Sequence, residues 1–295
     1  MGDFEKQSVW EHGSRNIIGL VICVCVFFSG FLIHGNLGLY LNLSGFVIVT
    51  GGTLGATFLS YRFERLVILL KVLKATYFNP VRNPDDIVEM MVDLSVKKRL
   101  KGVLALQMDE EETTIVFLRQ AIGLLVDGCS MAQIKEFLNA EMYFFKMRRE
   151  ETCRVLQTMG EIAPAFGLVG SVVGLIGMLS GMGNSAIIMA TIPVALTSTL
   201  YGIVLANFFF YPFAANIRER TVQELFLQKI IAEGVAAIAG DIHPRMVERK
   251  LKAYLTPSAR QGDLISLEKI KEQFNVKKDN LFEESQNAAD PLSDN

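Results

Sequence analysis

The sequence predicts an all-α, polytopic membrane protein with four membrane-spanning helices and a helical insert between the second and third. Three observations carry that prediction. The first is Ala163 to Tyr211, a stretch without a single Asp, Glu, Lys, Arg or His. One crossing of a bilayer core takes about 20 apolar residues, so this stretch is long enough for two. The second is composition: 51% of the 295 residues are hydrophobic and 20% are charged, with mean hydropathy +0.33. The charge is segregated into blocks, which marks a membrane protein with soluble parts. The third is that no segment alternates polar and apolar residues with the two-residue period of a strand.

Taken in order, residues 1–15 are polar and mixed in charge and form an N-terminal segment. Residues 16–60 hold the first two spans. Asn16 to Ile33 is an apolar run too long for a signal peptide and without its small-residue cleavage site. After an uncharged loop, Leu43 to Leu59 is weaker but free of charge, and its Gly51-Gly52 pair suits close helix contact. Residues 61–160 are the insert. It opens on Arg62, Arg65, Lys71 and Lys74, and Pro80 and Pro84 then break the chain. Asp85 is expected to cap a helix through Ile87, Met90, Met91 and Leu94 that ends on Lys97, Lys98, Arg99 and Lys101 before Gly102. A second helix is expected through Ile115 to Leu125, and a third, opened by Ser130, to run on into the membrane.

Residues 161–213 are the third and fourth spans, joined by a turn at Ser180 to Ser185. Residues 214–274 turn charged at once and form C-terminal helices, one through Gly240 and another from Pro244. Residues 275–295 are polar and mildly acidic, with too little apolar content for a packed core. Lys and Arg are missing from the loops at 34–42 and 180–186 but cluster at the other end of every span. The positive-inside rule therefore puts both termini and the insert in the cytoplasm.

The third span carries a stripe of small residues: Ala163, Gly167, Gly170, Gly174, Gly177 and Gly181, spaced alternately by four and three. That spacing keeps all six on one helix face. Glycine costs a helix about 1 kcal/mol relative to alanine, but in lipid a bare stripe lets a second backbone come close. The fourth span answers with Ala195, Thr199, Gly202 and Ala206. The stripe suits helix packing within one subunit, and equally a seam or narrow path at a subunit interface. Pro164, Pro193 and Pro212 frame the pair. The first two fit first-turn positions, and Pro212 fits a bend where the chain leaves lipid.

Several functions are excluded or disfavoured. Net charge is −2, which gives no electrostatic attraction to nucleic acid. The four cysteines form no CxxC pair, and His12, His34 and His243 are scattered, so no metal site or disulfide framework is indicated. No phosphate-binding loop and no catalytic constellation is present, so the chain does not read as an enzyme. The four spans hold no carboxylate, the usual carrier in a membrane ion relay, so a partner must supply it if ions move. What the spans do hold are hydroxyls, among them Ser171, Ser198 and Thr199. A lone membrane hydroxyl usually bonds its own helix backbone; hydroxyl oxygens can also ligate a partly dehydrated hard cation.

At these residues the sequence resembles a known family. Ala163-Pro164-Ala165-Phe166-Gly167-Leu168-Val169-Gly170-Ser171, then Thr199-Leu200-Tyr201-Gly202, Ala206-Asn207 and Pro212 are similar to the flagellar stator A subunits of the MotA/PomA type, within the wider MotA/TolQ/ExbB group. The resemblance extends to Arg99-x-x-Gly102-Val103-Leu104-Ala105-Leu106, Leu125-Val126-Asp127-Gly128 and His243-Pro244, and so spans most of residues 16–256. It implies a pentamer in the bacterial inner membrane around two copies of a B subunit. That partner brings one membrane helix, an ion-carrying aspartate and a peptidoglycan-binding domain. Ion flow, of sodium or protons, would turn the pentamer against a rotor switch-complex protein, with no bound cofactor. The resemblance places the hinge prolines at Pro164 and Pro212 and the rotor-contacting base at Arg99, with Lys101 nearby. It places ion-path hydroxyls at Ser171, Ser198 and Thr199, as in sodium-type members, although Ser171 stands where threonine is usual. The family's glutamate after Leu-Ala-Leu is Gln107 here, a departure at one half of the usual rotor contact. A TolQ/ExbB-type energiser of an envelope complex is the alternative, disfavoured by the first pair of spans, and a self-contained channel is disfavoured by the missing charge and the lack of an inverted repeat.

Overall fold

A computed structural model describes residues 40–78, 81–113 and 115–255, together with residues 22, 26, 29 and 30. Apart from those four, the predicted first span (16–33) and both terminal segments, 1–15 and 275–295, lie outside the described residues.

The second predicted span is helix α1, Leu43–Ser60. The Asn42 side chain caps it by accepting from Gly45 N at 2.9 Å, which satisfies one of the amide donors a helix start leaves open. Within it Thr53 and Thr57 donate their hydroxyls to Val49 and Thr53 carbonyls at 2.6 and 2.7 Å, which satisfies these two buried groups within the helix. Tyr61 and Arg62 break the helix, and α2 starts at once, Phe63–Phe78. The sequence reading left this segment without an element.

Helix α3, Pro84–Lys101, begins two residues earlier than expected. Asn83 occupies the cap position and Pro84 follows it, while Asp85 and Asp86 sit in the first turn. Their charges favour the positive end of the helix dipole, a role distinct from capping. Gly102, at φ +82°, ends the helix. A 3₁₀ turn at Val103–Leu106 and a short helix α4, Gln107–Glu112, lead to α5, Val116–Val126.

Helix α6 runs unbroken from Met131 to Ser180, 50 residues, or about 75 Å at 1.5 Å per residue. Ser130 and Gln133 close a reciprocal capping box at its start. Pro164 lies well inside this helix, as Pro193 lies inside α7, Ser185–Val204. The first-turn assignment of both prolines is therefore corrected: each sits in a helix interior, where it removes one donor from the ladder. A π-helical segment, Leu205–Phe210, joins α7 to α8, Tyr211–Ala239, and α9 is Pro244–Lys252. Three helical stretches among the described residues are long and apolar enough to cross a membrane: Leu43–Ser60, part of Met131–Ser180 and part of Ser185–Ala239.

Beyond the spans, the insert and the C-terminal helices share one core rather than forming separate units. Ile87 and Met91 of α3, Leu118 and Ile122 of α5, Ile134 and Leu138 of α6, Ile230 and Ile231 of α8, and Leu251 of α9 pack together, each at most 1% exposed. Each helix is amphipathic and finds its apolar partner only in the others. One carboxylate ties three of them. Glu233 of α8 pairs with Lys250 of α9 at 2.7 Å, Lys135 of α6 at 3.4 Å and Lys229 one turn away at 3.3 Å. Burial alone would raise the Glu233 carboxyl, but the hydrogen bond and charge of Lys250, with Lys135 and Lys229, bring it down to about 2.

A depressed carboxylate stabilises the fold above its ordinary pKa of 4.5, and that contribution is lost as pH falls toward about 2. Glu233→Gln is expected to lower the melting temperature of the purified protein at pH 7. The gap to wild type should narrow steadily between pH 4.5 and 2. A gap that stays constant across that range would mean the network does not act through the Glu233 charge.

Candidate functional site

The α6–α7 hairpin is held by backbone meeting backbone. A Cβ added to Gly174 would lie 2.6 Å from Ala195 N and 2.9 Å from its Cα, and one on Gly167 would lie 3.0 Å from Ser198 O. A Cβ on Gly170 would lie 2.5 Å from the Ser198 side chain and one on Gly177 2.9 Å from Thr191, while one on Gly181 would run into Ile187. From the other helix, a Cβ on Gly202 would lie 2.6 Å from Ala163 O and 3.0 Å from Pro164 Cα. The stripe is thus covered by α7 of the same chain, the packing within one subunit that the spacing suits. Helix α1 joins on a third side, where Gly45 faces the Ser198 hydroxyl at 2.7 Å and Gly52 lies under the Phe166 ring. Gly51, its neighbour, faces open space.

This close approach sorts the three hydroxyls. Ser171 Oγ and Thr199 Oγ1 are 2.5 Å apart across the two helices. Ser171 donates to Ala195 O at 2.6 Å, so Thr199 is the donor that satisfies both. Gly167 O lies within 3.3 Å of Ser171 Oγ and 3.5 Å of Thr199 Oγ1. Four oxygens, two from side chains and two from backbone, therefore converge at mid-hairpin, and both hydroxyl residues are only half-buried. Ser198 is set apart. It is fully buried and donates to its own Val194 O at 2.6 Å, wedged between Gly45 and Gly170. Thr191 and Thr197 likewise bond carbonyls of their own helix, at 3.0 and 2.7 Å.

The prolines mark one level of the molecule. Pro164 has no amide hydrogen, so the Gly160 carbonyl loses its helical donor. Gly202 presses on that spot, and the Gly160 backbone lies against the Tyr211 ring, 2.7 Å from where a Cβ would be. On the other strand of the hairpin the ladder slips at the same depth. Tyr211 N bonds Ala206 O, five residues back, and Pro212 follows as the second residue of α8. Such π segments are insertions into a helix that are frequent at functional sites. Sequence reasoning placed the prolines but missed the π turn. It also gave no role to Tyr201, whose hydroxyl donates to Tyr40 O, accepts from Asn42 N at 2.8 Å, and so pins the start of α1 to α7. A phenol in an apolar helix needs such a partner, and that need was the available signal.

Outside the spans, the basic end of α3 divides into two pairs. Lys97 binds Asp109 at 2.5 Å, and Lys98 binds Ile238 O and Asp241 at 2.6 and 2.7 Å. The hydrogen bond and charge of Lys98 hold the exposed Asp241 carboxyl below the usual carboxylate range. Arg99 and Lys101 remain exposed and make no ion pair among the described residues. Leu100, Leu104 and Met108 are exposed beside them, as is Gln107 at the start of α4.

Residues 98–229 match the MotA/TolQ/ExbB proton channel family. The uncharacterized protein YtxD of Bacillus subtilis (strain 168) is 32% identical over 238 residues, which cover 81% of this chain and 87% of that one. The chain belongs to the MotA/TolQ/ExbB proton channel family. Within it, the chemotaxis protein PomA of Vibrio alginolyticus is 29% identical over 244 residues, 83% of this chain and 96% of PomA. The solved structure of C. jejuni MotAB superimposes with a TM-score of 0.75 at 28% identity, over 82% of this chain and 95% of that one. As a family member the chain is an integral membrane protein, and the matched region contains both the α6–α7 hairpin and the basic end of α3.

The glycine contacts generate a steric test. Gly174→Leu would drive a side chain into the Ala195 backbone, which cannot yield without separating the helices. The expected outcome is loss of folded protein after detergent extraction, or a melting temperature several degrees lower. Gly51→Leu, facing open space, should extract and elute like wild type. Equal behaviour of the two variants on size-exclusion chromatography would remove the α6–α7 contact as the constraint.

Proposed function

We propose that this chain is the A-type stator subunit of a bacterial flagellar motor. With a B-type partner it forms an inner-membrane ion channel that converts ion flow into torque on a rotor. The observation that carries the reading is the likeness to PomA and MotAB along more than four-fifths of the chain. The hairpin chemistry agrees with it. The stretch Ala163 to Tyr211 has hydroxyls and carbonyls but no carboxylate of its own, so the titrating or ion-pairing group comes from the partner. In this reading five copies surround two partner subunits, each with one membrane helix and a peptidoglycan-binding domain. The termini and the helical domain lie on the cytoplasmic side, as the distribution of Lys and Arg supports.

The coupling ion in this proposal is sodium. A proton passes between water and a carboxylate without a hydroxyl ligand, whereas sodium must exchange part of its hydration shell for protein oxygens. Ser171 Oγ, Thr199 Oγ1, Ala195 O and Gly167 O supply a convergent set at mid-hairpin. Ser198, bonded to its own backbone, supports the path by packing. Pro164 and the Pro212 region serve as hinges between the hairpin and the helical domain. In cells with this stator as their only one, swimming speed is expected to rise and saturate with external sodium at fixed pH and ionic strength. Thr199→Ala should weaken that dependence or stop rotation. Full speed in sodium-free medium would reject sodium and leave the stator assignment standing.

Arg99 and Lys101 face the rotor in this reading. Exposed ion pairs are worth about 0–1 kcal/mol each, so neutralising either residue should slow swimming only in part. Arg99→Glu with Lys101→Glu should abolish motility while the complex still assembles and extracts normally. Normal swimming by the double variant would take these residues out of the contact.

A further inference from the structure

The basic end of α3 carries an apolar patch as well as its free cations. Leu100, Leu104 and Met108, beside Arg99 and Lys101, are 61%, 74% and 67% exposed. Apolar exposure gathered inside a charged rim marks a surface that another segment covers. The rim continues onto α9. Asp241 binds Lys98 at 2.7 Å and also feels the charge of Arg99, and α9 begins three residues later at Pro244. Arg245 and Arg249 of that helix are exposed and, like Arg99 and Lys101, make no ion pair among the described residues. Two carboxylates of α4 beside the patch are occupied or turned away. Asp109 holds Lys97, and Glu110 lies over Gly123 of α5, its Oε1 3.0 Å from where a Cβ there would be.

The chain that follows α9 has the complementary pattern. Asp279-Asn280-Leu281-Phe282-Glu283-Glu284 brackets two apolar residues with three carboxylates, and no Lys, Arg or His occurs between 279 and 295. The α3–α9 surface is the inverse, apolar residues bracketed by cations. The described chain ends close by, at Leu255 in the shared core. One turn earlier, Leu251 meets the same spot as Met91 of α3: a Cβ on Gly234 would lie 2.8 Å from Met91 and 3.3 Å from Leu251. Arg99 is eight residues past Met91, about 12 Å along the helix axis. Asp279 stands 24 residues after Leu255, a contour of up to about 80 Å, so the segment reaches the patch with chain to spare.

We propose that residues 279–284 dock on the end of α3 of their own chain. Leu281 and Phe282 cover Leu100, Leu104 and Met108, and Asp279, Glu283 and Glu284 pair with Arg99, Lys101 and Arg245. A two-fold contact between copies would instead set this basic rim against itself, so charge favours the chain's own acidic segment as the occupant. The tether holds that segment at an effective concentration on the order of millimolar. A contact of a few exposed pairs then forms within one chain and still yields to a larger partner surface. Its consequence rests on the stator reading: the segment screens the residues that face the rotor, and segment and rotor compete for one surface.

The test uses the purified full-length protein. Zero-length carbodiimide coupling, read by peptide mass spectrometry, should join Lys101 to Asp279, Glu283 or Glu284. Acetylation of Lys101 by an N-hydroxysuccinimide ester should run about twofold faster once the segment is released. Two variants release it by different means: Glu283→Gln with Glu284→Gln removes charge, and Leu281→Ser with Phe282→Ser removes the apolar pair. Lys146, exposed on α6, should label equally in all three proteins. Absence of the cross-link, or equal labelling of Lys101 in wild type and both variants, would overturn the contact and leave the stator assignment standing. Co-expressing a Lys101→Gln chain with a chain carrying Asp279→Asn, Glu283→Gln and Glu284→Gln separates the two halves. A Lys101 cross-link restored in that mixture would put the segment on a neighbouring copy and overturn docking within one chain. In cells with this stator as their only one, both releasing variants should swim at least as fast as wild type, and slower swimming by both would overturn the competition with the rotor. Wild type and variants alike without motility would reject the stator reading, while the cross-link still reports the contact.

Discussion

The contact on which the rest of the structure depends is the side-chain-free approach of α6 to α7. Gly174 against the Ala195 backbone and Gly202 against Ala163 and Pro164 leave no room for a single added carbon. In lipid there is no hydrophobic drive to bring two helices together, so packing and polar contacts must do it. The same approach fixes the polar geometry at mid-hairpin. The 2.5 Å spacing of Ser171 and Thr199 exists only at this interhelical distance; separation by the width of one methyl group would leave each hydroxyl to its own helix, as Ser198, Thr191 and Thr197 already are. The stripe of glycines, which costs intrinsic helix stability, therefore buys the one cross-helix oxygen cluster in the described hairpin.

Much of this was legible in the sequence, for definable reasons. Length and absence of charge marked the α6–α7 hairpin, because bilayer thickness sets a minimum run. The four-and-three spacing put the glycines on one face, because the helical period is fixed. Spacing alone left open which helix covers that face, and only the tertiary contacts give it to α7 of the same chain. Ser198 and Thr199 are adjacent in sequence but 100° apart on the helix, so one entered the packed seam with Gly45 and Gly170 and the other met Ser171. The π turn at Leu205–Phe210 has no local signature, since it is an extra residue accommodated by packing. Arg99 and Lys101 were readable as a basic helix end. That Lys97 and Lys98 are taken up by Asp109 and Asp241 was not, because the first pairing depends on how the chain folds back after Gly102 and the second on a segment 143 residues away.

The merged core explains why the insert could not be assigned alone. Its helices α3 and α5 bury Ile87, Met91, Leu118 and Ile122 against Ile230, Ile231 and Leu251, residues more than a hundred positions downstream. The intervening hairpin has to form for those faces to meet. Helices α6 and α8 are the physical link, since each continues without a loop from the domain into the hairpin.

That continuity bears on how events at the hydroxyl pair reach the exposed end of α3. Below the spans the two rods are clamped together: Arg149 of α6 and Arg220 of α8 both pair with Glu224, at 3.0 and 3.1 Å, and Cys153 Sγ reaches Ala214 O. Above, the glycine contacts clamp them again. Between the clamps, one level lacks a full helical ladder in either rod. Pro164 removes a donor from α6, and the π segment shifts the bonding of the other rod from four residues to five. Bending costs least where the fewest hydrogen bonds must be broken, and here both rods offer that place at the same depth. In the proposed stator, a displacement at Thr199 would be transmitted as a tilt of two stiff helices about a shared joint, and the shared core would carry that tilt to Arg99 and Lys101.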